Sequence, residues 1–214
     1  MNVIKYNIEK YPFSDIVSSW LNSQHLSKLH NVKKYNRFVR ENDQSTDWHK
    51  LFYKKIRQDK AFDVVYKKFL RDIIKPRFGE DIVCQKIPTF RVHLPGNIAV
   101  GEFHKDKFYR NVDWANKVKE TNYFVPLTKA YGTNTIWVES EEDKADFQPI
   151  ETSYGNCVEW DASNLMHGNK DNTTGETRVS FDFRVIPISR YIDSNHNTIN
   201  TKIPFSIGGY YKII

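Results

Sequence analysis

Thr177-Arg178-Val179-Ser180-Phe181-Asp182-Phe183-Arg184-Val185-Ile186 alternates without a break. In an extended strand, residues two apart share a face. Arg178, Ser180, Asp182 and Arg184 therefore line one side, and Val179, Phe181, Phe183 and Val185 the other. The apolar side asks for a core. The polar side, with two guanidiniums, suits an enclosed site for a carboxylate-bearing ligand, because the guanidinium fork matches a carboxylate in bidentate fashion. An ordinary solvent-facing polar face is the bland alternative.

Upstream of this strand the texture is also β. Thr89 to Leu94, Ile98 to Val100, Asn122 to Leu127, Asn134 to Val138, Glu151 to Tyr154 and Asn156 to Trp160 are short β-branched and aromatic runs. Turn residues such as Pro95-Gly96-Asn97 and Gly155 separate them. Several short strands without helices between the later ones predict an antiparallel sandwich or barrel.

The first 80 residues read mainly as helix. Ser14-Asp15 can cap a segment carrying Ile16, Trp20 and Leu21, and Ser45-Thr46-Asp47 precedes Trp48, Leu51, Phe52 and Ile56. A third stripe, Phe62, Val65, Phe69, Leu70 and Ile73, stops near Pro76 and Gly79. Their aromatic residues are expected in the core. With no linker or repeat, residues 1–214 are expected to form one domain: a helical support region (1–80), a β core (81–192) and an irregular covering segment (193–214).

Composition narrows the class. The chain has 214 residues, 39% hydrophobic and 27% charged, which is neither a disordered nor a membrane composition. No apolar run suggests a signal peptide or a membrane span. Reduced, buried Cys84 and Cys157 and a cytoplasmic location are the expectation. The net charge of +6 is uneven: residues 1–79 carry 17 Lys/Arg against 8 Asp/Glu, and the remainder 15 against 18. That basic third can face nucleic acid or an anionic substrate, though a set of solvated helix faces is the simpler account.

The segment Glu102-Phe103-His104-Lys105-Asp106 adds an imidazole and a carboxylate two residues apart, expected to project together from a strand. His167-Gly168 adds a second imidazole. Two histidines and one carboxylate are the donor set that holds a non-haem iron on one face and leaves positions open. A lone His-x-Asp is weak evidence, and the pattern gains weight from the charged strand that follows His167.

His104-x-Asp106, His167-Gly168 and Arg178 eleven residues on resemble the Fe(II)/2-oxoglutarate-dependent oxygenases, in particular the phytanoyl-CoA dioxygenase-like branch. The stretch from His167 to Pro187 also resembles the oxygenases of the streptomycin-cluster type. The resemblance spans roughly residues 88–190. It implies a double-stranded β-helix (jelly roll, cupin-like) with supporting N-terminal helices. It implies His104, Asp106 and His167 as ligands of Fe(II), Arg178 as anchor of the distal carboxylate of 2-oxoglutarate, Ser180 as its hydroxyl partner, and O2 as oxidant. Halogenating members lack the carboxylate ligand, so Asp106 favours hydroxylation.

Arg178 and Arg184 compete for the anchoring role, since six residues of strand separate them by about 20 Å. The spacing from His167 favours Arg178, leaving Arg184 to pair with Asp182 or to reach a substrate pocket. Arg91, His93, Asn122 and Trp137 are further pocket candidates, with structural roles as their alternative. Lys107, Tyr109 and Arg110 follow the ligand segment at the position of a lid.

Three functions are compatible with this reading. The first is hydroxylation of a small metabolite, the second the same chemistry on a nucleic acid or protein. The third is a non-catalytic or isomerase-type metal-binding jelly roll. The diffuse basic excess favours the small metabolite over the macromolecule. Substrate identity and oligomeric state are not readable from the residues.

Overall fold

The computed structural model describes residues 1–37, 44, 46–100, 102–194, 196–198 and 201–214. The alternating segment forms a ten-residue strand, and the chain is built around it. In order, the elements are β1 (Asn2–Lys5), α1 (Phe13–Leu21), α2 (Asp47–Gln58), α3 (Ala61–Phe69), β2 (Ile82–Gln85), β3 (Thr89–His93), α4 (Val112–Val118) and β4 (Thr121–Pro126). They continue with β5 (Trp137–Val138), β6 (Gln148–Pro149), β7 (Asn156–Trp160), β8 (His167–Gly168), β9 (Arg178–Pro187) and β10 (Tyr211–Ile213).

Among the described residues, a larger antiparallel sheet has the order β1-β7-β4-β9-β2-β10, with β3 also paired to β9. A smaller sheet runs β6-β5-β8. The protein is thus mainly β and antiparallel, with helices concentrated before the sheets. No helix among the described residues is long and apolar enough to cross a membrane.

The apolar face of β9 is buried as its alternation predicts. Val179, Phe181, Phe183 and Val185 join Phe13, Phe52, Phe62 and Phe69 of the helices in one core cluster. Ring contacts define that seam: Phe52 stacks on Phe90 at 4.1 Å between centroids, and Phe13 meets Phe181 edge-on at 5.0 Å. Thr46 caps α2, accepting from the amide of His49. The third helix leaves α geometry at Leu70, passes through a π turn to Ile74, and ends in a 3-10 turn containing Pro76. Cys84 and Cys157 are free and buried in the same cluster.

Several local expectations give way to the structure. The first 80 residues also contribute β1, which pairs with β7. The final segment contributes β10, which pairs with β2. Both are short edge strands, where periodicity carries too few residues to register. Ile98–Val100 forms no strand, and Glu151–Tyr154 contributes only the bridge of Thr152 to Ala130.

The polar face of β9 looks inward. Arg178 is 1% exposed and Ser180 0% exposed, which removes the solvent-facing alternative for that half of the strand. Register places Arg91 opposite Ser180 and His93 opposite Arg178 on β3, and Asn122 opposite Arg184 on β4. Phe124, Val138, Ile150 and Trp160 form a second cluster, shared by strands of the larger sheet and the smaller one.

Candidate metal centre

His104 and Asp106 meet, but not by the pleat of a strand. His104 makes an isolated bridge to His167, with the amide of each donating to the carbonyl of the other at 2.8 and 2.9 Å. Asp106 begins a 3-10 turn, Asp106–Tyr109, whose first amide donates to Ala162. The turn swings the carboxylate back toward the bridge. Lys105, between them, is 3% exposed and paired with Glu142 and Asp143.

The three side chains converge. One ligand atom each from His104, Asp106 and His167 lies within 4.8 Å of the others. The Nε2 atoms of His104 and His167 stand 3.5 and 3.8 Å from Oδ1 of Asp106. Each Nδ1 is 2.8–2.9 Å from a backbone carbonyl, that of Glu102 for His104 and that of Leu165 for His167. A carbonyl can only accept, so each Nδ1 carries a proton and each Nε2 is the nitrogen turned toward Asp106. Tyr109 packs edge-on against His104 and Trp160 against His167, fixing both rings.

The other oxygen of Asp106 is already committed. Oδ2 accepts from Nη2 and Nε of Arg184 at 2.6 and 3.1 Å and from Nδ2 of Asn122 at 3.1 Å. Burial raises the affinity of Asp106 for a proton, yet the Arg184 guanidinium leads the groups that outweigh it and holds the carboxyl well below its ordinary range. Burial also lowers His167, to about 4, so its ring is neutral at physiological pH. Arg184 does contact Asp182, at 3.3 Å, but its fork is spent on Asp106. It further reaches Gln85 and Tyr210.

Along its whole length the chain is 34% identical to the streptomycin biosynthesis protein StrG of Streptomyces griseus, over 214 residues that cover 99% of this chain and 97% of that protein. The chain belongs to the StrG family. No family model matches it. The resemblance seen in residues 88–190 therefore extends over the helices as well. Among solved structures, this StrG-family chain is similar to CytC3, with a TM-score of 0.53 at 14% identity over 96% of this chain and 81% of that one. A structure of CytC3 with Fe(II) and alpha-ketoglutarate matches at a TM-score of 0.51 and 15% identity, over 87% of this chain and 72% of that one. At such identity the likeness shows a shared fold.

On the polar faces of β9 and β4 the StrG-family chain buries polar atoms that no described residue satisfies. Nε of Arg178, Oγ of Ser180 and Oδ1 of Asn122 have no hydrogen-bond partner. Arg178 meets no carboxylate at ion-pair distance among the described residues, and its guanidinium carbon stands 5.5 Å from the ring centre of Phe124. Burial, with Arg91 nearby, pushes its pKa down to about 9. Burying a cation away from carboxylates is costly, and buried donors left unsatisfied among the described residues suit an anionic ligand.

The remaining pocket candidates divide. Arg91 and Arg184 line a cavity of about 520 Å³. His93 does not: it is wholly buried, with Nδ1 2.9 Å from the carbonyl of Asn134 and Nε2 2.8 Å from that of Asn97. Trp137 is likewise outside that lining, its indole donating to Gly132 and its ring covered by the Lys170 ammonium at 3.2 Å. Asn122 serves Asp106. Of the three residues at the lid position, Tyr109 and Arg110 line the cavity. Lys107 instead bonds Glu142 and Asn164. Gln85 and Tyr210 escaped the sequence reading, because their contacts with Arg184 span 99 and 26 residues and leave no local pattern.

Proposed function

We propose that the protein is an Fe(II)- and 2-oxoglutarate-dependent dioxygenase that hydroxylates a C–H bond of a small-molecule metabolite. One observation carries this reading: two Nε2 nitrogens and one carboxylate oxygen converge in a chain that also buries, on the same polar strand face as Arg184, a guanidinium meeting no carboxylate among the described residues. That donor set suits non-haem Fe(II), with positions left for co-substrate and O2. His104, Asp106 and His167 would hold the iron, and Arg178 and Ser180 the far carboxylate of 2-oxoglutarate. The unpaired Nε of Arg178 and the bare Oγ of Ser180 support that second assignment.

When bound, iron would activate O2, the oxidant, with 2-oxoglutarate giving up two electrons and leaving as succinate and CO2. The chain's own residues do the positioning. Backbone carbonyls hold both imidazoles in the metal-binding tautomer. Arg184 and Asn122 occupy Oδ2 of Asp106, so Oδ1 alone turns inward. Arg178, locked in β9 against Phe124, orients the co-substrate. The two facing sheets are read as a double-stranded β-helix, and residues 1–214 as one working unit in the cytoplasm.

The test is anaerobic addition of Fe(II) and 2-oxoglutarate, followed by the weak visible charge-transfer band of the chelate. Wild type should show it, His104→Ala should not, and Arg178→Ala should need far more 2-oxoglutarate. A folded, iron-loaded wild type without the band would refute the proposal.

A further inference from the structure

The cavity of about 520 Å³ lies against the metal centre and has the size of a small-molecule site. Two of its wall residues touch the triad: Tyr109 through the ring of His104 and Arg184 through the carboxylate of Asp106. Its wall also carries Arg57, Lys86, Arg91 and Arg110, and none of the described lining residues bears a carboxylate. Some of this charge is neutralised from behind. Arg110 is paired with buried Glu120 at 2.8 Å and lies 4.0 Å over the ring of Phe205, while Arg184 is bound to Asp106 and Asp182.

Arg57 and Lys86 differ from these. Arg57 donates to the carbonyl of Tyr53 at 2.9 Å, and Lys86 to that of Gly208 at 3.4 Å. Neither meets a carboxylate among the described residues. They come from separate elements, α2 and the turn after β2, yet they face one cavity. Thr89, Thr198 and Thr201 add hydroxyl groups to the same wall, and Phe205 and Tyr210 add rings. Cations with hydroxyls around a half-enclosed space recognise an oxyanion, and the rings suit the skeleton that carries it.

We infer that this cavity is the substrate site of the proposed oxygenase and that its substrate is a small anionic metabolite, whose phosphate or carboxylate group is held by Arg57 and Lys86. The inference rests on the proposed function and names the substrate class for the same site. It also gives part of the basic N-terminal excess a purpose, since Arg57 belongs to that third of the chain.

The experiment uses the full-length protein loaded anaerobically with Fe(II) and 2-oxoglutarate, so that Arg178 is already engaged. Glucose 6-phosphate, glucuronate and glucose serve as probes in isothermal titration calorimetry. Binding of either anion without binding of glucose is expected, and which anion binds distinguishes phosphate from carboxylate. Arg57→Met/Lys86→Met should weaken that binding by about tenfold or more, as the loss of two charge-assisted contacts predicts. Lys54→Met/Lys68→Met removes the same charge outside the cavity and should leave it unchanged. Absence of anion binding, or equal weakening in both double variants, would overturn the inference while the chelate band stands. Failure of the protein to take up Fe(II) and 2-oxoglutarate would instead strike the functional reading beneath it.

Discussion

Arg184 grips one oxygen of Asp106 with two nitrogens, Nη2 at 2.6 Å and Nε at 3.1 Å, and leaves the other oxygen facing the two imidazoles. This arrangement decides how the carboxylate is used. With Oδ2 saturated by Arg184 and Asn122, Asp106 can offer a metal only Oδ1. The same cation keeps a fully buried carboxyl ionised, which burial alone would oppose.

Arg184→Lys retains the charge and loses the fork, so it separates geometry from electrostatics. Outer-shell partners of metal ligands are typically worth about 10–100-fold in affinity. Arg184→Met is expected to weaken Fe(II) or Co(II) binding by about that factor, and Arg184→Lys by an intermediate amount. A Co(II) titration read by its visible ligand-field bands measures this without turnover. Wild-type affinity in Arg184→Met would show that Asp106 needs no holding.

Arg178 makes an opposite prediction for stability. Its guanidinium is buried and meets no carboxylate at ion-pair distance among the described residues, so the ligand-free fold bears a desolvation cost on its behalf. Arg178→Leu should leave the apo protein at least as stable as wild type, with a gain of about 1–4 kcal/mol as the range seen when buried charges are replaced by apolar groups. The same variant should lose the rise in Tm that 2-oxoglutarate gives the wild type through linkage. Thermal unfolding with and without 2-oxoglutarate checks both halves. An apo variant several degrees less stable than wild type would mean that Arg178 serves the fold.

His93 sets an acid limit on stability. Burial first, and Arg178 second, push its pKa from 6.5 down to about 4, outweighing the carbonyls of Asn97 and Asn134, which favour the protonated ring. The unfolded chain therefore takes up a proton that the folded chain refuses between those values, and folding stability is complete above 6.5 and falls as pH drops toward 4. The fall attributable to one such group is about 3 kcal/mol at 1.36 kcal/mol per pH unit. In the metal-free protein His167 shifts in the same direction, so wild type and variant must be compared. Urea unfolding from pH 7 to 4.5 should show a shallower loss in His93→Gln than in wild type, from a lower starting stability. Parallel pH profiles would place the acid sensitivity elsewhere.

What the sequence made legible was the part written in short periods. The alternation of β9 spans ten residues and defines both of its faces, so the core and the polar wall could be read from it. The aromatic stripes of α2 and α3 likewise indicated their buried sides. Asp106 is the instructive miss: its approach to His104 was expected from the pleat of a strand, whereas a 3-10 turn brings the two together. Spacing alone cannot tell a pleat from a turn when only three residues are involved. Arg184 was read as pairing with Asp182 or reaching a pocket, and it does contact Asp182 and line the cavity, but its grip on Asp106 was not legible because that carboxylate lies 78 residues away. Edge strands β1 and β10 were hidden for the same reason, as pairing across the whole chain leaves no local trace.

Gly168 shows how tightly the bridge between His104 and His167 is packed. A Cβ at this position would stand 2.7 Å from Cδ2 and 2.8 Å from Cγ of Phe103, and 3.1 Å from its Cα. The ring cannot simply rotate away, because the backbone itself is close and Phe147 packs against the ring at 4.7 Å. Phe103 directly precedes His104, and Gly168 directly follows His167, so the methyl group would push the two bridge partners apart. Gly168→Ala is expected to cost about 1–3 kcal/mol in stability, the usual penalty for overpacking, and to weaken Co(II) binding with it. Phe103→Ala removes the ring, and the double variant should recover much of the lost metal affinity, giving a favourable coupling in a double-mutant cycle. Chemical unfolding and Co(II) titration of the four proteins measure the coupling. Additive effects would mean that the close approach of Gly168 to Phe103 does not govern the spacing of His104 and His167.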